Sequence, residues 1–255
     1  MTLKCCPLHY TNEEIAAVAE NPLPEHVAII MDGNRRWAKK EFLNASRPYF
    51  AGHQAGAQVL TKIVEAASNL GIKVLTVFAF STENWERSPE EVATLLQIIQ
   101  TYLDNQRQKM VDEGVRFHVI GDVTPFSLRL KKIIEETIQA TAHGTGIDFV
   151  VALNYGGRDE IRRVLQKVVK EVLAGTLSQE EMTEERLAQY LDTAPFGDPD
   201  LLIRTSGERR ISNFLLWQSA YAEVYVTDTL WPDFTPRDLF LAVLDFQKRQ
   251  RRIGK

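Results

Sequence analysis

The chain has 255 residues, of which 44% are hydrophobic and 25% are charged, and its formal net charge is −4. This length suits a single α/β domain with a sizeable core, and the hydrophobic fraction excludes a disordered chain. The acidic balance argues against bulk attraction to nucleic acid, because such binding relies on many Lys and Arg side chains that neutralise phosphates. Any site for an anion must therefore be a local cluster of cations.

The N-terminal stretch carries both cysteines and lacks a targeting signal. Cys5 and Cys6 are adjacent, which makes a poor structural disulfide, and the sequence offers no other thiol for pairing. Residues 1–8 lack the apolar stretch of a signal peptide, and no run of about 18 apolar residues occurs in the chain. We therefore expect a cytoplasmic protein with a leader over residues 1–24 and one domain over residues 25–255.

Six apolar runs without alternation predict strands that are buried on both faces. They occupy residues 26–31, 74–80, 115–120, 147–153, 201–203 and 223–226. Helical periods lie between them, and the clearest follows Ser88, where Pro89 suits the first helical position. Further helices are predicted after Gly56, Pro125, Gly157, Thr183 and Pro236. This alternation predicts an α/β fold with a mainly parallel central sheet of about six strands flanked by helices.

Ligands of such a sheet bind beyond the carboxyl ends of its strands. Polar and cationic residues follow four of the predicted strands, at positions 32–37, 81–87, 154–158 and 204–212. The chemistry of the chain is therefore expected in these four segments.

The first of these segments is Asp32-Gly33-Asn34-Arg35-Arg36-Trp37. Its Gly-Asn pair allows a tight turn into a helix beginning near Arg35, and a helix N-terminus favours anions. Arg35 and Arg36 add guanidinium groups suited to phosphate oxygens. Asp32 suits Mg²⁺, which is usually bound by one or two carboxylates plus substrate phosphates. The alternative for this segment alone is an aspartate cap beside two solvated arginines.

The second cluster, Arg204 to Ser212, combines three arginines and two serines with one glycine directly after a strand. This composition predicts a second diphosphate cradle, and an exposed polar loop is the alternative. Two separate anion sites imply two phosphorylated ligands.

The third cluster, Phe80 to Pro89, mixes small polar side chains with Phe80 and Trp85. Aromatic rings beside amides suit a ligand with a polar head and an apolar tail, although such rings more often belong to the core. His53 opens a predicted helix, where it either donates to a phosphate or caps the helix.

Several common catalytic patterns are absent from the sequence. The spacings of His and Cys do not match metal sites, and there is no Walker pattern, no Gly-x-Ser-x-Gly turn and no Gly-x-Gly-x-x-Gly. Zinc hydrolases, common NTPases and serine hydrolases are thereby disfavoured. A Mg²⁺-assisted reaction on diphosphates remains.

Five segments together resemble the cis-prenyltransferase family, especially bacterial undecaprenyl diphosphate synthases. They are His26 to Trp37, Gly52-His53, Phe80 to Arg87, Asn154 to Arg158 and Asp200 to Pro232. The resemblance covers about residues 25–254, so it assigns the domain over residues 25–255 as catalytic. It implies an apolar tunnel and condensation of isopentenyl diphosphate with an allylic prenyl diphosphate, usually farnesyl diphosphate. The implied product is a long-chain polyprenyl diphosphate such as undecaprenyl diphosphate, a lipid carrier precursor for cell-wall glycan synthesis.

The resemblance also implies a role for each matching residue. Asp32 would hold Mg²⁺ and assist the departure of pyrophosphate, Asn84 would take part in catalysis, and Glu223 would be a further Mg²⁺ ligand. The remaining positions imply substrate contacts: Gly33, Asn34, Arg36 and His53 for the allylic diphosphate, Arg204, Arg210 and Ser212 for isopentenyl diphosphate, and Trp85 and Arg87 for positioning both. Arg35, Trp37, Phe80 and Ser81 complete the predicted substrate-binding set.

The sequence departs from the family pattern at three places. Arg35 and Ser206 each stand where glycine is common, and the segment from Lys40 to Ala51 is longer than usual. The longer segment displaces an arginine that normally precedes the Gly-His pair, and Arg47 is the nearest candidate to replace it.

The resemblance further implies partners and a location. It implies a homodimer in which Arg252-Ile253-Gly254 reaches the neighbouring site, no nucleic acid, and a cytoplasmic enzyme that delivers product at the membrane as a peripheral protein. Two other functions stay open. The first is a non-catalytic partner subunit, although such members tend to lack the aspartate and arginines that Asp32 and Arg36 supply here. The second is an unrelated phosphate-binding α/β enzyme such as a phosphatase.

Overall fold

A computed structural model describes residues 10–41 and 48–249. Within these ranges six strands form one sheet: His26–Ile30 (β1), Val74–Ser81 (β2), Arg116–Ile120 (β3), Asp148–Tyr155 (β4), Leu201–Arg204 (β5) and Glu223–Val226 (β6). Their order across the sheet is β3-β4-β2-β1-β5-β6, and each neighbouring pair is parallel. The predicted α/β fold and all six predicted strands are therefore confirmed.

Helices connect these strands and cover both faces of the sheet. The α-helices of the described ranges are Asn12–Ala19 (α1), Asn34–Glu41 (α2), Pro48–Leu70 (α3), Pro89–Asp112 (α4), Leu128–Thr141 (α5), Gly157–Leu173 (α6), Glu184–Ala188 (α7) and Pro236–Lys248 (α8). Helix α4 begins as predicted, because the Ser88 side chain accepts a hydrogen bond from the Glu91 N–H and Pro89 occupies the first turn.

Two helices differ from the sequence prediction. Helix α3 begins at Pro48, before Gly56, so His53 lies within the helix and does not open it. Helix α1 falls inside the predicted leader, where Thr11 and Glu14 form a reciprocal capping box. Its Val18 is buried, so this part of the leader packs on the same core as the domain.

The core lies on the two faces of the sheet. Successive residues of a strand face opposite sides of the sheet. Ile29 therefore belongs to the larger apolar cluster, which includes residues of α3, α4 and α8, and Ile30 belongs to the smaller cluster around Phe214. Both faces of the central strands are covered, which explains their continuous apolar runs.

The sheet order places three predicted site segments side by side. Strand β1 lies between β2 and β5, and Ile30 at its end is level with Phe78 on one side and Arg204 on the other. Since the strands are parallel, the residues that follow β1, β2 and β5 meet at one edge.

Candidate active site

Asp32 and Arg204 form the centre of this edge. The Arg204 Nη2 atom donates to Asp32 Oδ2 at 2.7 Å, and Asp32 Oδ1 accepts a hydrogen bond of 2.7 Å from the Gly33 N–H. Thr205 fixes the Asp32 backbone, since its Oγ1 accepts from the Asp32 N–H at 2.8 Å and donates to the Asp32 carbonyl at 2.6 Å. The carboxylate is thus held by the Arg204 side chain and the Gly33 N–H, while Thr205 anchors the Asp32 backbone to the end of β5.

The surroundings of Asp32 keep its carboxylate ionised. Partial burial raises the pKa of a carboxyl group, but here the hydrogen bond and charge of Arg204 outweigh that cost, with help from Gly33 and Arg36. The pKa of Asp32 is consequently below its ordinary value. An ionised carboxylate at the edge of a cavity suits a hard cation.

Arg36 links the first cluster to the second. Its Nη1 donates to the Ser206 carbonyl oxygen at 3.0 Å and its Nη2 donates to the Ser206 hydroxyl. The same Nη2 lies 3.3 Å from Glu208 and 3.8 Å from Asp32. The two predicted diphosphate cradles are therefore in direct contact.

Arg204 reaches the rest of the second cluster from its buried position. Its Nη1 donates to Ser212 Oγ at 2.7 Å and also to the Arg210 carbonyl oxygen, whereas its Nε is buried with no hydrogen-bond partner. The Arg210 side chain points away and pairs with Glu208 at 2.5 Å. In this arrangement Arg204 and Ser212 line the site, and Arg210 contributes its carbonyl oxygen to Arg204.

The turn after β1 requires its small residues. Gly33 has φ +109°, a backbone conformation that favours glycine, and a Cβ there would meet Leu230 at about 3.0 Å. Both the conformation and this contact therefore disfavour a side chain at this position. Asn34 then begins α2, and a Cβ on Gly56 would come within 2.4 Å of Asn34 Oδ1. That oxygen is buried and has no hydrogen-bond partner. The N-terminus of α2 is thus packed tightly against α3.

His53 faces the same cavity from α3. Its Nε2 atom is buried without a partner, and burial together with the charges of Arg87 and Arg35 lowers its pKa to about 4. The ring is therefore neutral near pH 7, and in the tautomer protonated on Nε2 this nitrogen can donate to an anion. The sequence left a capping role open for His53, and its place inside α3 removes that alternative.

A buried carboxylate holds two of the predicted arginines. Glu91 of α4 accepts a hydrogen bond of 2.9 Å from Arg87 Nη1, and Arg35 Nε lies 3.8 Å from the same oxygen. The Glu91 side chain is 7% exposed. The sequence showed Glu91 as an ordinary first-turn residue of a helix, so this contact was missed.

The segment after β2 forms a short 3₁₀ helix, Thr82–Glu86, that carries Asn84 into the site. The Asn84 side-chain oxygen accepts from the Ser81 N–H at 3.1 Å, and Trp85 Nε1 donates to Asn154 Oδ1 at 2.8 Å. Phe80 is fully buried and packs edge-on against Trp85, with ring centroids 5.3 Å apart. Phe80 thus has the core role that the sequence left open, whereas Trp85 is 39% exposed and is not a core residue.

Asn213 ties this segment to the second cluster. Its Nδ2 donates to Glu83 at 2.8 Å, its Oδ1 accepts from the Arg158 N–H at 2.9 Å, and its carbonyl oxygen accepts from the Gly157 N–H at 2.7 Å. It also has φ +63°, a conformation that Asn tolerates better than most residues. The residue was not predicted as functional, since its role depends on three chain segments that are distant in sequence.

A cavity of about 390 Å³ opens among these residues. Its mouth is polar and its interior is apolar, with Leu60, Leu95, Ile99 and Leu103 between α3, α4 and the sheet. Eleven predicted site residues line it: Asp32, Gly33, Asn34, Arg35, Arg36, His53, Ser81, Asn84, Arg87, Arg204 and Ser212. The fold thus brings most of the predicted residues around one space of the size that small-molecule ligands occupy.

Other predicted residues lie outside the cavity lining. Trp37 donates from Nε1 to Asp233 at 2.7 Å, while Phe80, Trp85 and Arg210 occupy the positions described above. Arg47, Arg252-Ile253-Gly254 and the Cys5-Cys6 pair lie outside the described residues.

Glu223, the second predicted metal ligand, lies at the opposite edge of the sheet from Asp32. It begins β6 level with Leu201, three residues before the level of Arg204, which places it about 10 Å back along the strand direction. Its carboxylate instead accepts a hydrogen bond of 2.8 Å from Arg249. Within one chain, Glu223 therefore does not join Asp32 at a metal site. The strand predicted over residues 223–226 already placed Glu223 at the start of β6, and only the family resemblance assigned it a metal role.

Asp32 fits a cation that takes its other ligands from a substrate. Among the described residues, no group of three or more His, Cys, Asp or Glu side chains converges to hold a metal ion. Asp32 is nevertheless ionised, and its side chain is 31% exposed toward the cavity mouth. Mg²⁺ is commonly held by one or two carboxylates plus water and substrate phosphates, so Asp32 with phosphate oxygens suits that ion.

Comparison with known proteins identifies the family of the chain. The sequence model of a family described as putative undecaprenyl diphosphate synthase matches residues 30–254. An isoprenyl transferase from Chlamydia pneumoniae is 47% identical over 233 residues, which cover 91% of this chain and 93% of that protein. An isoprenyl transferase from Listeria monocytogenes serotype 4b is 46% identical over 243 residues, covering 95% and 94%.

Two solved structures with the same fold are those of prenyl diphosphate synthases. Lavandulyl diphosphate synthase from Lavandula x intermedia, in complex with dimethylallyl diphosphate, has a TM-score of 0.87 and 36% identity, covering 91% of this chain and 99% of that one. A probable undecaprenyl diphosphate synthase from Campylobacter jejuni has a TM-score of 0.76 and 33% identity, covering 92% and 100%. In the described part of the chain, no helix combines the length and apolarity needed to cross a membrane. The chain is a prenyltransferase and belongs to the undecaprenyl diphosphate synthase-like family.

Proposed function

We propose that the chain is a cis-prenyltransferase that condenses isopentenyl diphosphate with an allylic prenyl diphosphate, with farnesyl diphosphate as the starter. Its product would be a long-chain polyprenyl diphosphate such as undecaprenyl diphosphate, a lipid carrier precursor for cell-wall glycan synthesis. One observation carries the proposal: two contiguous cationic clusters, joined by the Asp32–Arg204 and Arg36–Ser206 contacts, stand at the polar mouth of an apolar cavity.

The first cluster suits the allylic diphosphate. Gly33 and Asn34 begin α2, whose N-terminus favours an anion, and Arg36 adds a charge at the same place. His53, neutral and without a partner on Nε2, is available to donate to a phosphate oxygen. The hydrocarbon of this substrate would then extend into the apolar part of the cavity.

The second cluster suits isopentenyl diphosphate. Arg204 and Ser212 line the mouth of the cavity beside Asp32, and Arg204 Nε is buried without a hydrogen-bond partner. A buried donor without a partner is costly, so an incoming phosphate oxygen at this nitrogen would be favourable. We include Arg210 in this site, since its exposed side chain can turn from Glu208 toward a bound anion.

Asp32 is the proposed ligand of Mg²⁺ in this site. When bound, the cation supplies positive charge that stabilises the departing pyrophosphate. Arg36 and Arg204 add charge at the same place, and both already lie within 4 Å of the Asp32 carboxylate. Charge stabilisation of the leaving group is thus the main catalytic tool of these residues.

The bond changes of the proposed reaction follow from the two substrates. The bond from the allylic carbon to its diphosphate oxygen breaks, and the electron pair of the isopentenyl double bond forms the new carbon–carbon bond. A proton then leaves the isopentenyl unit and a new double bond forms, so the products are the elongated diphosphate, pyrophosphate and a proton. Asn84 lines the cavity near this point, and we propose that its side chain orients the isopentenyl unit.

The apolar interior favours elongated products. Each added unit brings five carbons, and burial of hydrocarbon contributes about 0.8 kcal/mol per CH₂. Affinity for the cavity therefore increases with each cycle, and release of the long product is expected to limit turnover. We propose a cytoplasmic enzyme that passes this product to the membrane as a peripheral protein.

The resemblance to the family also supports a homodimer as part of the proposal. Arg252-Ile253-Gly254 would complete the neighbouring subunit's site. Gel filtration of the full chain beside a variant truncated after Arg249 would test this role. We expect both proteins to be dimers, with the truncated one impaired in condensation.

Incubation with farnesyl diphosphate, labelled isopentenyl diphosphate and Mg²⁺ tests the proposed activity. We expect label in an organic-soluble lipid whose dephosphorylated form carries several added units with cis double bonds. A phosphatase would release phosphate without joining the substrates, and a non-catalytic subunit alone would leave both unchanged. Either result would overturn the proposal.

A further inference from the structure

Three exposed apolar side chains lie around the mouth of the cavity. Phe50 is in the first turn of α3 and is 41% exposed, Trp85 is on the 3₁₀ helix after β2, and Leu128 begins α5 and is 83% exposed. Helix α4 packs between α3 and α5. The mouth, which opens between α3 and α4, therefore has Phe50 on one side and Trp85 and Leu128 on the other.

Local contacts place these side chains at the same edge of the sheet as Asp32. Gly52, two residues after Phe50, packs so closely on the carbonyl oxygen of Asn34 that a Cβ there has no room. Phe126, two residues before Leu128, has its ring centroid 6.2 Å from that of Trp85. Since Asn34 follows β1 and Trp85 follows β2, all three exposed side chains lie at the carboxyl edge.

Cations accompany the apolar side chains on both sides of the mouth. Residues 34–40 carry four cations and no carboxylate, and they form α2, which packs on α3. Residues 123–134 carry three cations and no carboxylate around Leu128, although the whole chain has a net charge of −4. The acidic Glu86 and Glu90 lie on the segment between these two stretches. The cations outside the proposed diphosphate sites are Lys39, Lys40, Arg129, Lys131 and Lys132.

The beginning of α5 shows this combination most clearly. Leu130 is buried in the core, so α5 is anchored while Leu128 projects into solvent. Arg129 is exposed and forms no ion pair with any residue that the structure describes. Lys132 is 77% exposed and lies 3.8 Å from Glu136. An exposed leucine beside exposed cations suits the boundary between anionic headgroups and hydrocarbon.

We propose that the carboxyl edge around Phe50, Trp85 and Leu128 docks on an anionic lipid surface, with the cavity mouth toward the bilayer. The apolar side chains stand on three separate elements around an opening, an arrangement that suits a planar surface better than a single bound peptide. The inference rests on the proposed function, because a long prenyl product leaving through this mouth would then enter lipid without crossing water. The cations on both sides of the mouth bind the lipid phosphates.

Sedimentation with vesicles tests this surface without any substrate. The probe is a vesicle of phosphatidylcholine and phosphatidylglycerol in equal parts, compared with phosphatidylcholine alone. We expect the unaltered chain to sediment with the anionic vesicles, and less of it to do so as the salt concentration rises. Equal sedimentation with both kinds of vesicle, or with neither, would overturn the proposal.

Variants at the beginning of α5 locate the contact. Leu128→Ser should weaken binding to the anionic vesicles about tenfold, since it removes the most exposed apolar side chain of the surface. Arg129→Gln should weaken it about fivefold through the loss of one charge. Neither residue belongs to the proposed active site, so condensation in detergent solution should be unchanged. Binding that is unaltered in both variants would contradict docking through this edge.

Two matched variants on α6 serve as controls. Leu173 is also 83% exposed but ends α6 at the opposite edge of the sheet, and Lys167 is an exposed cation of the same helix. Leu173→Ser and Lys167→Gln should bind the vesicles like the unaltered chain. Losses as large as those of Leu128→Ser and Arg129→Gln would show that the contact is not confined to the carboxyl edge.

A measurement on the unaltered chain keeps the proposal testable even if a variant does not fold. Anionic vesicles that contain a lipid with a photoreactive diazirine near its headgroup can be irradiated with the protein and the cross-links mapped by mass spectrometry. We expect cross-links near Phe50 and Leu128, whereas cross-links confined to α6 would overturn the inference. A chain that binds the vesicles but never incorporates isopentenyl diphosphate would overturn the proposed function and leave the lipid-binding surface supported.

Discussion

Arg204 Nη2 lies 2.7 Å from Asp32 Oδ2, and this contact joins the ends of the neighbouring strands β5 and β1. The Arg204 side chain is 5% exposed, and its other terminal nitrogen binds Ser212 Oγ at 2.7 Å. A single planar guanidinium group therefore contacts both the proposed metal ligand, Asp32, and Ser212 of the proposed isopentenyl diphosphate site. Lysine cannot reproduce that span, since it carries a point charge on a flexible stem.

Arg204→Lys is therefore expected to weaken binding of isopentenyl diphosphate. We expect its KM for that substrate to rise by about tenfold or more, as for loss of one charged hydrogen bond, with a smaller change for the allylic substrate. Arg36→Lys is the matched variant and should show the opposite preference. Steady-state kinetics with each substrate varied in turn provides the check. A raised KM confined to the allylic substrate in Arg204→Lys would exchange the two proposed sites.

Ser206 supplies a second test, because its backbone conformation lowers the stability of the fold whereas its side-chain hydrogen bond raises it. Its φ of +76° favours glycine, whereas its hydroxyl and carbonyl bind Arg36. Ser206→Gly should keep the free energy of unfolding within about 1 kcal/mol, because relief of strain offsets the lost hydrogen bond. Ser206→Ala should be less stable than Ser206→Gly by about 1 kcal/mol.

Both Ser206 variants should raise the KM for the allylic substrate several-fold, since each frees Arg36 from the hydroxyl. Urea unfolding and steady-state kinetics on the two proteins provide the comparison. Equal stability of the glycine and alanine variants would show that the backbone at this position is not strained.

Asn213 is expected to position the segment that carries Asn84. Asn213→Ala removes its hydrogen bonds to Glu83 and to the Arg158 N–H, at a cost of about 1–3 kcal/mol in the free energy of unfolding. We also expect kcat/KM for isopentenyl diphosphate to fall about tenfold, because the segment after β2 loses its link to Ser212. Asn105→Ala, at an exposed position of α4, is the control and should match the unaltered chain. A stability loss without any kinetic change would assign Asn213 a structural role alone.

His26 gives the fold a dependence on pH. Its ring is 2% exposed, with Nδ1 3.0 Å from the Gly197 carbonyl oxygen and Nε2 2.7 Å from Thr76 Oγ1. Burial lowers its pKa to about 4, against the partial compensation of nearby hydrogen bonds and Asp200. The unfolded chain binds a proton at His26 near pH 6.5, so this contribution to stability is present above that pH and is lost as the pH falls toward 4.

His26→Gln should therefore flatten the pH dependence of stability. Between pH 7 and pH 5 the unaltered chain should lose about 2 kcal/mol more in the free energy of unfolding than the variant. His53, whose pKa is also lowered to about 4, is present in both proteins and cancels in the difference. Urea titrations of both proteins at the two pH values measure this difference in the free energy of unfolding. Parallel losses in both proteins would show that His26 does not titrate in the expected range.

Much of this architecture could be predicted from the sequence because the local signals agree with the tertiary structure. The buried strand at His26–Ile30 and the cap at Ser88 are each specified by short runs of residues. Helix α1 was missed although Thr11 and Glu14 form a capping box, because the segment is short and was read as a polar leader. The start of α3 was set too late because a glycine-containing stretch is a weak helix signal.

The site was predictable where its residues follow strands directly and less so where they depend on tertiary contacts. Asp32 and Arg204 could be expected to meet because parallel strands end at one edge. The strand predicted over residues 223–226 already placed Glu223 at the start of β6, but its distance from Asp32 depends on how the sheet assembles. Glu91 pairs with Arg87 four residues before it and also with Arg35 from a distant segment. Contacts between distant segments, such as that of Arg35 with Glu91, leave no local pattern in a single sequence.

The central claim is that Asp32 serves a condensation reaction at the shared mouth of two diphosphate sites. Incorporation of labelled isopentenyl diphosphate by Asp32→Asn, beside the unaltered chain and the exposed control Asp104→Asn, tests it most directly. We expect Asp32→Asn to fold, as judged by its thermal transition, but to lose about 100-fold or more in kcat, while the control keeps full activity. A folded Asp32→Asn protein that incorporates label at the rate of the unaltered chain would contradict the claim.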